Sequence, residues 1–301
     1  MLHVLMKRKG EDMQQEQMLV KEDNLETAEA TKEEEKEGKY IYCIIGADQE
    51  REYGPIGIGE RGDVIETFCD DGLATIISDS PVKKYPINRK NTICHQKIME
   101  EVMKHHTVLP VRFSTIGEDR EPKDGSPEMP ALERIRQKVL IERRPEFIDL
   151  LKDMDTKMEL GVKALWTDMK TVFDELVEEN SSIRSLKKKI EKVNIANPRQ
   201  RTHSERVKLG EMVREALNAK REKLKNIFMG VLKKASCDTR VNKNFGDNMF
   251  LNGAFLVEKS KVKEFDNYLD VLDKNYRPNV TFKYIGPIPP CNFVEIVITW
   301  E

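Results

Sequence analysis

The chain of 301 residues has no long apolar run and no excess of either charge. No apolar stretch approaches the roughly 20 residues that a membrane-spanning helix needs. The apolar part of the first nine residues is too short for a signal peptide. Lys and Arg number 51 against 53 Asp and Glu, so a surface for nucleic acid would have to be a local patch.

Cysteine is scarce, and its positions are scattered. The five cysteines are odd in number and never spaced as Cys-x-x-Cys, which is typical of reduced thiols in a reducing compartment. Together with the missing apolar runs, this usage predicts a soluble cytoplasmic protein. The cysteines are Cys43, Cys69, Cys94, Cys237 and Cys291.

Patterns that carry catalysis, cofactors or metals are also missing. Gly57-Ile58-Gly59 has the glycines of a phosphate loop, but no GxGxxG joins a strand to a helix and no Gly-Lys-Ser/Thr occurs. Cys94 and His95 are adjacent, so on a helix their side chains point about 100° apart and cannot easily form a nucleophile–base pair. No zinc-ligand spacing is present. The sequence therefore predicts no cofactor, no metal and no enzymatic activity.

What the chain does contain is charge, which makes up 35% of its residues, while apolar residues make up 39%. This balance favours long, solvated helices over one large core. The extreme case is the N-terminus, where residues 7–38 are rich in Glu, Lys and Gln and contain no aromatic residue. We therefore predict a disordered charged tail over residues 1–38.

Residues 39–127 have the pattern of a small α+β domain. Asp71-Gly72 indicates a tight hairpin turn, Asn91 is a candidate helix cap, and the proline-containing stretch 118–130 is the best linker. The predicted elements are strands at 40–45, 64–68, 73–78 and 108–113 and a helix at 92–105.

Residues 128–301 have the pattern of a second α+β domain. The predicted elements are helices at 131–141, 145–154 and 262–275 and strands at 157–164, 249–257, 280–284 and 293–300.

Two heptad runs lie inside this second domain. The first extends from Met169 to Val193 and is interrupted at Glu179, and the second extends from Leu209 to Val231 and is interrupted at Lys220. Pro198 between them resists a single continuous helix. The pattern predicts an antiparallel coiled-coil hairpin at about 168–235.

Several residues stand out as candidates for interaction or structural roles. Arg112, beside Phe113 in an apolar strand, could pair with a carboxylate of the fold or with one on another protein, and a structural ion pair is favoured over an interface role. Glu159 alternates with apolar residues and could face Lys163 or a partner surface. The prolines of 286–290 fix φ and remove donors, which forces an extended, kinked link between strands. The candidates are Arg112, Phe113, Glu159, Gly286, Pro287, Pro289 and Pro290.

From about residue 39 to the end, an ordered set of motifs resembles the gas vesicle protein F/L family. The chain departs from the family pattern at Ser114, which replaces a glycine, and at Ile288 and Cys291, which replace Trp and Tyr. The motifs are Tyr40-Ile41-Tyr42, Leu73-Ala74-Thr75-Ile76-Ile77-Ser78, Thr107-Val108-Leu109-Pro110-Val111-Arg112-Phe113, Glu159-Leu160-Gly161-Val162-Lys163, Asn252-Gly253-Ala254-Phe255-Leu256-Val257 and Gly286-Pro287-Ile288-Pro289-Pro290-Cys291-Asn292-Phe293-Val294.

The resemblance implies a non-enzymatic protein required for gas vesicle assembly, located at the gas vesicle in the cytoplasm. Its implied partners are the gas vesicle major shell protein (GvpA type) and other accessory proteins, with no nucleic acid and no membrane. The implied fold is an N-terminal ferredoxin-like α+β domain followed by a second α+β domain that carries the coiled-coil hairpin. We expect shell contact through the N-terminal sheet near Arg112. A permanent shell component and a transient chaperone both fit these expectations.

The alternative function is a nucleotide- or RNA-binding ferredoxin-like protein. Such a sheet stacks bases on exposed aromatic residues, for which Tyr40, Tyr42 and Phe113 are the candidates. No basic segment of the kind that accompanies such aromatics is present.

Overall fold

A computed structural model describes residues 36–122, 127–196 and 203–300 of the chain. The predicted tail over residues 1–38 lies almost wholly outside the described residues. The remainder, Gly38–Glu301, forms one unit of mixed α/β structure that contains two antiparallel sheets. The predicted division into domains at residues 127 and 128 stays a prediction.

The first sheet has the order β2-β3-β4-β1-β5, and β6 also pairs with β1. The predicted strands at 40–45, 64–68 and 73–78 are confirmed. At the β3–β4 turn, Asp71 and Gly72 have φ angles of 44° and 83°, a left-handed pair that Asp-Gly tolerates well. The strands are β1 (Glu37–Ile45), β2 (Glu52–Gly54), β3 (Ile65–Asp70), β4 (Leu73–Pro81), β5 (Val108–Pro110) and β6 (Ile116–Glu118).

Helix α1 (Arg89–Met103) begins three residues before the predicted start. Asn88, not Asn91, is the capping residue, because its Oδ1 accepts a hydrogen bond from the Asn91 amide at 2.9 Å. Asn91 lies within the first turn, where its side chain donates to the Pro86 carbonyl at 3.0 Å. The asparagine that caps the helix therefore lies three residues before the predicted one.

The second sheet has the order β10-β7-β9-β8. It is formed by β7 (Lys157–Trp166), β8 (Asp238–Val241), β9 (Met249–Glu258) and β10 (Val280–Ile288). Helices separate β7 from β8 and β9 from β10, which gives the β-α-β-β-α-β succession of a ferredoxin-like unit. In the first sheet, β1 to β4 follow one another without a helix between Glu37 and Pro81. The ferredoxin-like fold that the resemblance implies for the N-terminal domain is therefore not confirmed, whereas the elements of the second sheet follow a ferredoxin-like succession.

Helix α4 (Met169–Glu179) and helix α5 (Ser181–Ala196) replace the single helix predicted for the first heptad run. The break is at Asn180, whose backbone is extended with φ −114° and ψ 101°, and whose side chain donates to the Leu176 carbonyl. Asn and Ser compete with the helical backbone for hydrogen bonds, so Asn180 and the serines after it favour an end and a restart. The other helices are α2 (Ala131–Ile135), which continues as a π-helical turn (Arg136–Ile141), α3 (Arg144–Asp155), α6 (His203–Leu232) and α7 (Val262–Tyr276).

The two interrupted heptad positions pair with each other. Lys220 Nζ lies 3.0 Å from Glu179 Oε1 and 2.7 Å from Glu175 Oε2. Farther along, Lys189 of α5 lies 2.8 Å from Glu205 of α6. These pairs show that α6 runs opposite to α4 and α5, while a regular coiled coil stays a prediction.

Both faces of the first sheet are covered. Side chains of α1, including Ile98 and Val102, pack on the face that carries Tyr40 and Tyr42. The opposite face, which carries Ile41, Ile44 and Leu109, packs against Leu140, Phe147, Val294 and Ile296. The second sheet packs against α6 and α7 through Phe228, Phe250, Phe255 and Phe265.

The last predicted strand, Phe293–Trp300, is not formed as a strand of the second sheet. After Pro290, the amides of Phe293 and Val294 both donate to the Pro290 carbonyl at 2.9 Å, which turns the chain. The segment then packs on the first sheet, where Ile296 forms a parallel bridge with Val111.

Candidate functional site

The two proline-containing motifs, nearly 200 residues apart in sequence, meet in space. The Arg112 amide donates to the Ile296 carbonyl at 2.9 Å, and the Ile296 amide donates to the Pro110 carbonyl at 2.8 Å. We call this region the junction, defined as residues 108–113 and 286–296. Sequence reasoning assigned the motifs to separate domains, because no local pattern reports a contact at this separation.

Glu159 on β7 fixes the turn at the junction. Its carboxylate is fully buried and accepts hydrogen bonds from the Asn292 amide at 3.0 Å and from Asn292 Nδ2 at 2.5 Å. Burial raises the pKa of this carboxyl, and the two hydrogen bonds from Asn292 oppose the shift. The expectation that Glu159 faces Lys163 or a partner surface is therefore wrong, since its carboxylate points inward to Asn292.

Gly286 and Pro287 interrupt the edge strand β10. Gly286 has φ +149°, and a Cβ there would lie 2.7 Å from Leu160 Cδ2, so a side chain does not fit. The pairing of β10 with β7 shifts between Ile285 and Ile288, as expected where proline removes a ladder donor. This irregularity directs the chain toward the junction.

The remaining prolines divide between the interior and the surface. Pro289 and Pro290 are buried, whereas Pro287 is exposed. The Cys291 amide donates to the Pro289 carbonyl at 2.7 Å, which closes the turn before Asn292. The kinked link predicted from these prolines is thus a folded turn in which two of the three prolines are buried.

Arg112 lies on the surface of the junction. Its Nε is 3.9 Å from Glu295 Oε2, and both side chains are more than half exposed. Such a pair contributes at most about 1 kcal/mol, so Arg112 keeps its capacity to contact another molecule. Phe113 is half-buried with its ring edge-on to His95 at 5.6 Å between centroids.

A buried polar network lies under α1. The Tyr40 hydroxyl accepts from the Ser114 amide at 2.8 Å and shares a hydrogen bond with His95 Nδ1 at 3.1 Å. The Tyr42 hydroxyl accepts from the Ile58 amide at 2.9 Å. Burial lowers the pKa of His95 to about 4, a shift that its hydrogen bond with the Val111 backbone opposes.

This network bears on the alternative function. Tyr40 and Tyr42 are fully buried, so they are not available to stack on bases. His95 of the same network is 5% exposed and lies in an aromatic cluster with both tyrosines. The signal available in the sequence was its place on the apolar face of α1, three residues before Ile98.

A cleft of about 340 Å³ lies beside the junction. Its apolar lining includes Met103, Met154 and Met158, and its rim carries lysines. Pro287, Ile288 and Pro290 of the junction also line it. Methionine side chains adapt to differently shaped apolar groups, and this cleft is therefore a candidate binding surface.

A second groove, of about 480 Å³, lies between the glycine loop and α1. Ile56 is 44% exposed and Ile93 is 38% exposed, and both line this groove. Gly57 and Gly59 also line it, with Cys94 Sγ 3.4 Å from the Ile56 carbonyl. Glu60, Lys90 and Lys97 line the same groove, so its two exposed isoleucines lie beside charged side chains.

Within residues 36–122, 127–196 and 203–300, no three His, Cys, Asp or Glu side chains cluster in a way that could hold a metal ion. In the same residues, no helix combines the length and apolar character needed to cross a membrane.

Comparisons with known proteins match nearly the whole of the described chain. The family model described as "Gas vesicle synthesis protein GvpL/GvpF" matches residues 38–295. The chain is 27% identical to Gas vesicle protein F of Streptomyces sp. (strain CB03234) over 241 residues, which cover 79% of this chain and 91% of that protein. It is 19% identical to Gas vesicle protein F of Microcystis aeruginosa (strain PCC 7806) over 265 residues, which cover 86% and 99%.

Two solved structures share the fold. The crystal structure of GvpF from Anabaena sp. PCC7120 superimposes with a TM-score of 0.65 at 20% identity, covering 86% of this chain and 98% of that one. The GvpF structure from Microcystis aeruginosa gives a TM-score of 0.59 at 18% identity, covering 86% and 99%. The family match over residues 38–295 shows that the chain belongs to the gas vesicle synthesis protein GvpL/GvpF family and has a role in gas vesicle formation.

Proposed function

We propose that this protein acts in gas vesicle assembly by binding the small hydrophobic shell protein, without catalysing a reaction. The observation that carries the proposal is the family match over residues 38–295. The protein works in the cytoplasm at the growing vesicle, where it also meets other accessory proteins.

The physical reason for such a binder lies in the shell protein itself. A subunit that lines a gas space has to expose apolar surface, and exposed apolar surface promotes aggregation before assembly. A binder that covers this surface keeps the subunit available for the growing shell. The groove at Ile56 and Ile93 offers exposed apolar side chains for this purpose.

Because both faces of the first sheet are covered, the groove is a better candidate for binding the shell protein than the sheet itself. Shell contact near Arg112 was expected from the sequence, but the apolar faces of that sheet are occupied by α1 and by the C-terminal segment. Arg112 then contributes at the rim of a contact. We assign shell binding to residues 39–127 and recruitment of accessory proteins to residues 128–301, which carry the helical hairpin at about 168–235.

Paired substitutions test this assignment in the full chain. Ile56→Asp with Ile93→Asp places two charges in the groove, and we expect capture of purified shell protein to fall at least about tenfold, since burying a charge is costly. The matched control is Val207→Asp with Val271→Asp, at side chains that are 48% and 51% exposed on other elements. The control should capture shell protein as the unmodified chain does. Undiminished capture by the groove variant would exclude this binding site.

A further inference from the structure

Positive charge is concentrated on two helices of this protein. Helices α5 and α6, here called the helical arm, contain twelve Lys and Arg against five Glu, a net charge of +7. The whole chain carries −2, so the rest of it carries −9. A separation of this size in a nearly neutral chain creates a local field that attracts acidic partners.

Much of this charge is not neutralised within the fold. Lys189 pairs with Glu205, and Lys220 pairs with Glu175 and Glu179. In contrast, the exposed cations Lys187, Lys188, Lys192, Lys208 and Arg214 have no carboxylate within ion-pair distance in the part of the chain that the structure describes. Three of these five lie three or four residues from an apolar residue of the arm and so share its helix face. They form a basic strip that consists of Lys187 beside Ile183, Lys208 beside Met212 and Arg214 beside Leu217.

The apolar seam beneath this strip is open on one side. Ile183 and Ile190 of α5 are buried, at 2% and 6% exposure. Farther round the arm, the apolar side chains are only half-buried, and Val207 is exposed. Two helices cannot enclose a seam from all sides, and a third helix is the usual cover. The half-buried residues are Leu186, Leu209, Met212 and Val213.

The seam and the basic strip lie at the same level of the arm. The Lys189–Glu205 pair fixes an antiparallel register, so Leu186, three residues before Lys189, lies level with Leu209, four residues after Glu205. Lys187 follows Ile183 by four residues, and Lys208 precedes Met212 by four, so each shares a helix face with an apolar residue of the seam. Apolar side chains are therefore flanked by cations on both helices.

We infer that the helical arm is a docking surface for an acidic amphipathic helix of a partner protein. The apolar face of that helix covers the open seam, and its carboxylates meet the flanking lysines. This is recognition of a helix in a groove, with electrostatic complementarity setting the choice of partner. Docking at the arm is independent of shell binding at the Ile56–Ile93 groove, because different elements form the two surfaces.

Charge argues against two other occupants of the arm. A second copy of the arm would bring +7 against +7, and like charges oppose that pairing. A nucleic acid would satisfy the lysines but leave the seam uncovered. The arm also offers no exposed aromatic ring for base stacking, since its single aromatic residue, Phe228, is buried.

The experiment uses the full chain and fluorescently labelled synthetic helices of three heptads, with Leu at positions a and d. One peptide carries Glu at positions e and g, and its control carries Lys there. We expect anisotropy to report binding of the Glu peptide only, weakened about tenfold or more between about 50 and 300 mM salt. Lys187→Glu with Lys208→Glu and Arg214→Glu should weaken it about tenfold or more at low salt.

A matched charge reversal elsewhere on the protein distinguishes an effect that is specific to the arm from a general effect of net charge on peptide binding. Lys263, Lys274 and Lys283 are exposed on α7 and β10, and replacing all three with Glu changes the net charge equally. This control should change binding less than about twofold. If the triple Glu variant of the arm does not give the circular dichroism of the unmodified chain, substitution by Gln at the same three positions replaces it.

Four results would overturn the inference. They are equal binding of the Lys peptide, equal weakening by the control reversal, absence of binding at low salt, and self-association through the arm at low salt. Tighter binding of labelled single-stranded RNA than of the Glu peptide would overturn it as well, in favour of a nucleic-acid surface.

Discussion

At the scale of single residues, buried polar side chains connect the parts of the fold. Glu159 holds the backbone of Asn292, and Tyr40 holds the backbone of Ser114. Each of these groups would be costly to bury without its partner. The neighbouring sequence does not predict that these side chains are buried, because a charged residue or a tyrosine in a β-strand is equally compatible with an exposed face.

His95 gives a pH dependence that can be measured. Its folded-state pKa of about 4 lies below its ordinary value of 6.5, so the unfolded chain binds a proton that the folded chain does not. This contribution to stability is present above pH 6.5 and is lost as pH falls from 6.5 to 4. The full loss corresponds to about 3 kcal/mol.

Urea unfolding of the unmodified chain and of His95→Phe, measured from pH 4 to 7, tests this. We expect the free energy of unfolding of the unmodified chain to fall relative to the variant across that window. His203→Gln, at an exposed histidine of α6, serves as the control and should follow the unmodified chain. Parallel pH profiles for the unmodified chain and His95→Phe would contradict a neutral buried His95.

At the scale of elements, most strands and helices followed from apolar periodicity and turn residues. The β3–β4 hairpin was predictable because Asp71-Gly72 selects its turn locally, and β9 was predictable from a continuous apolar run. The short strands β2, β6 and β8 were not predicted, because three or four residues carry too little pattern. Asn180 separates α4 from α5, although the apolar periodicity alone predicts one continuous helix across it.

The Glu179–Lys220 pair shows the limit of heptad reasoning in another way. Each residue interrupts the heptad pattern of its own run, and the structure places the two within hydrogen-bonding distance. The sequence identifies both positions but not their alignment, since the register between two helices depends on packing along their whole length.

Gly286 tests the geometry of the irregular end of β10. We expect Gly286→Ala to lower the free energy of unfolding by about 1–3 kcal/mol, since its φ is +149° and the new Cβ would meet Leu160. Gly230→Ala is the control, because its Cβ would meet open space on a helix and should stabilise by up to about 1 kcal/mol. Chemical denaturation of both variants gives the comparison, and equal stability of Gly286→Ala and the unmodified chain would be the adverse result.

At the scale of the whole molecule, the C-terminal segment joins the two sheets. The chain leaves β10 through the prolines of the junction, and Val294 and Ile296 then pack on the first sheet with Leu109 and Ile135. Most of the predicted strands and helices are therefore present, but the contacts between them were not predictable. Contacts between segments so far apart in sequence depend on global packing and leave no local signal.

The same scale bears on function. In the described residues, the groove at Ile56 and Ile93 and the basic arm are two separate surfaces, formed by different elements. The family to which the chain belongs has a role in gas vesicle formation.

Deletion of the gene in a vesicle-forming host tests the role in vesicle formation most directly. Electron microscopy should show cells without gas vesicles, and vesicles should return when the unmodified chain is supplied from a plasmid. They should not return when the Ile56→Asp, Ile93→Asp variant is supplied at the same level. Gas vesicles of normal number and shape in the deletion strain would contradict a required role in their assembly.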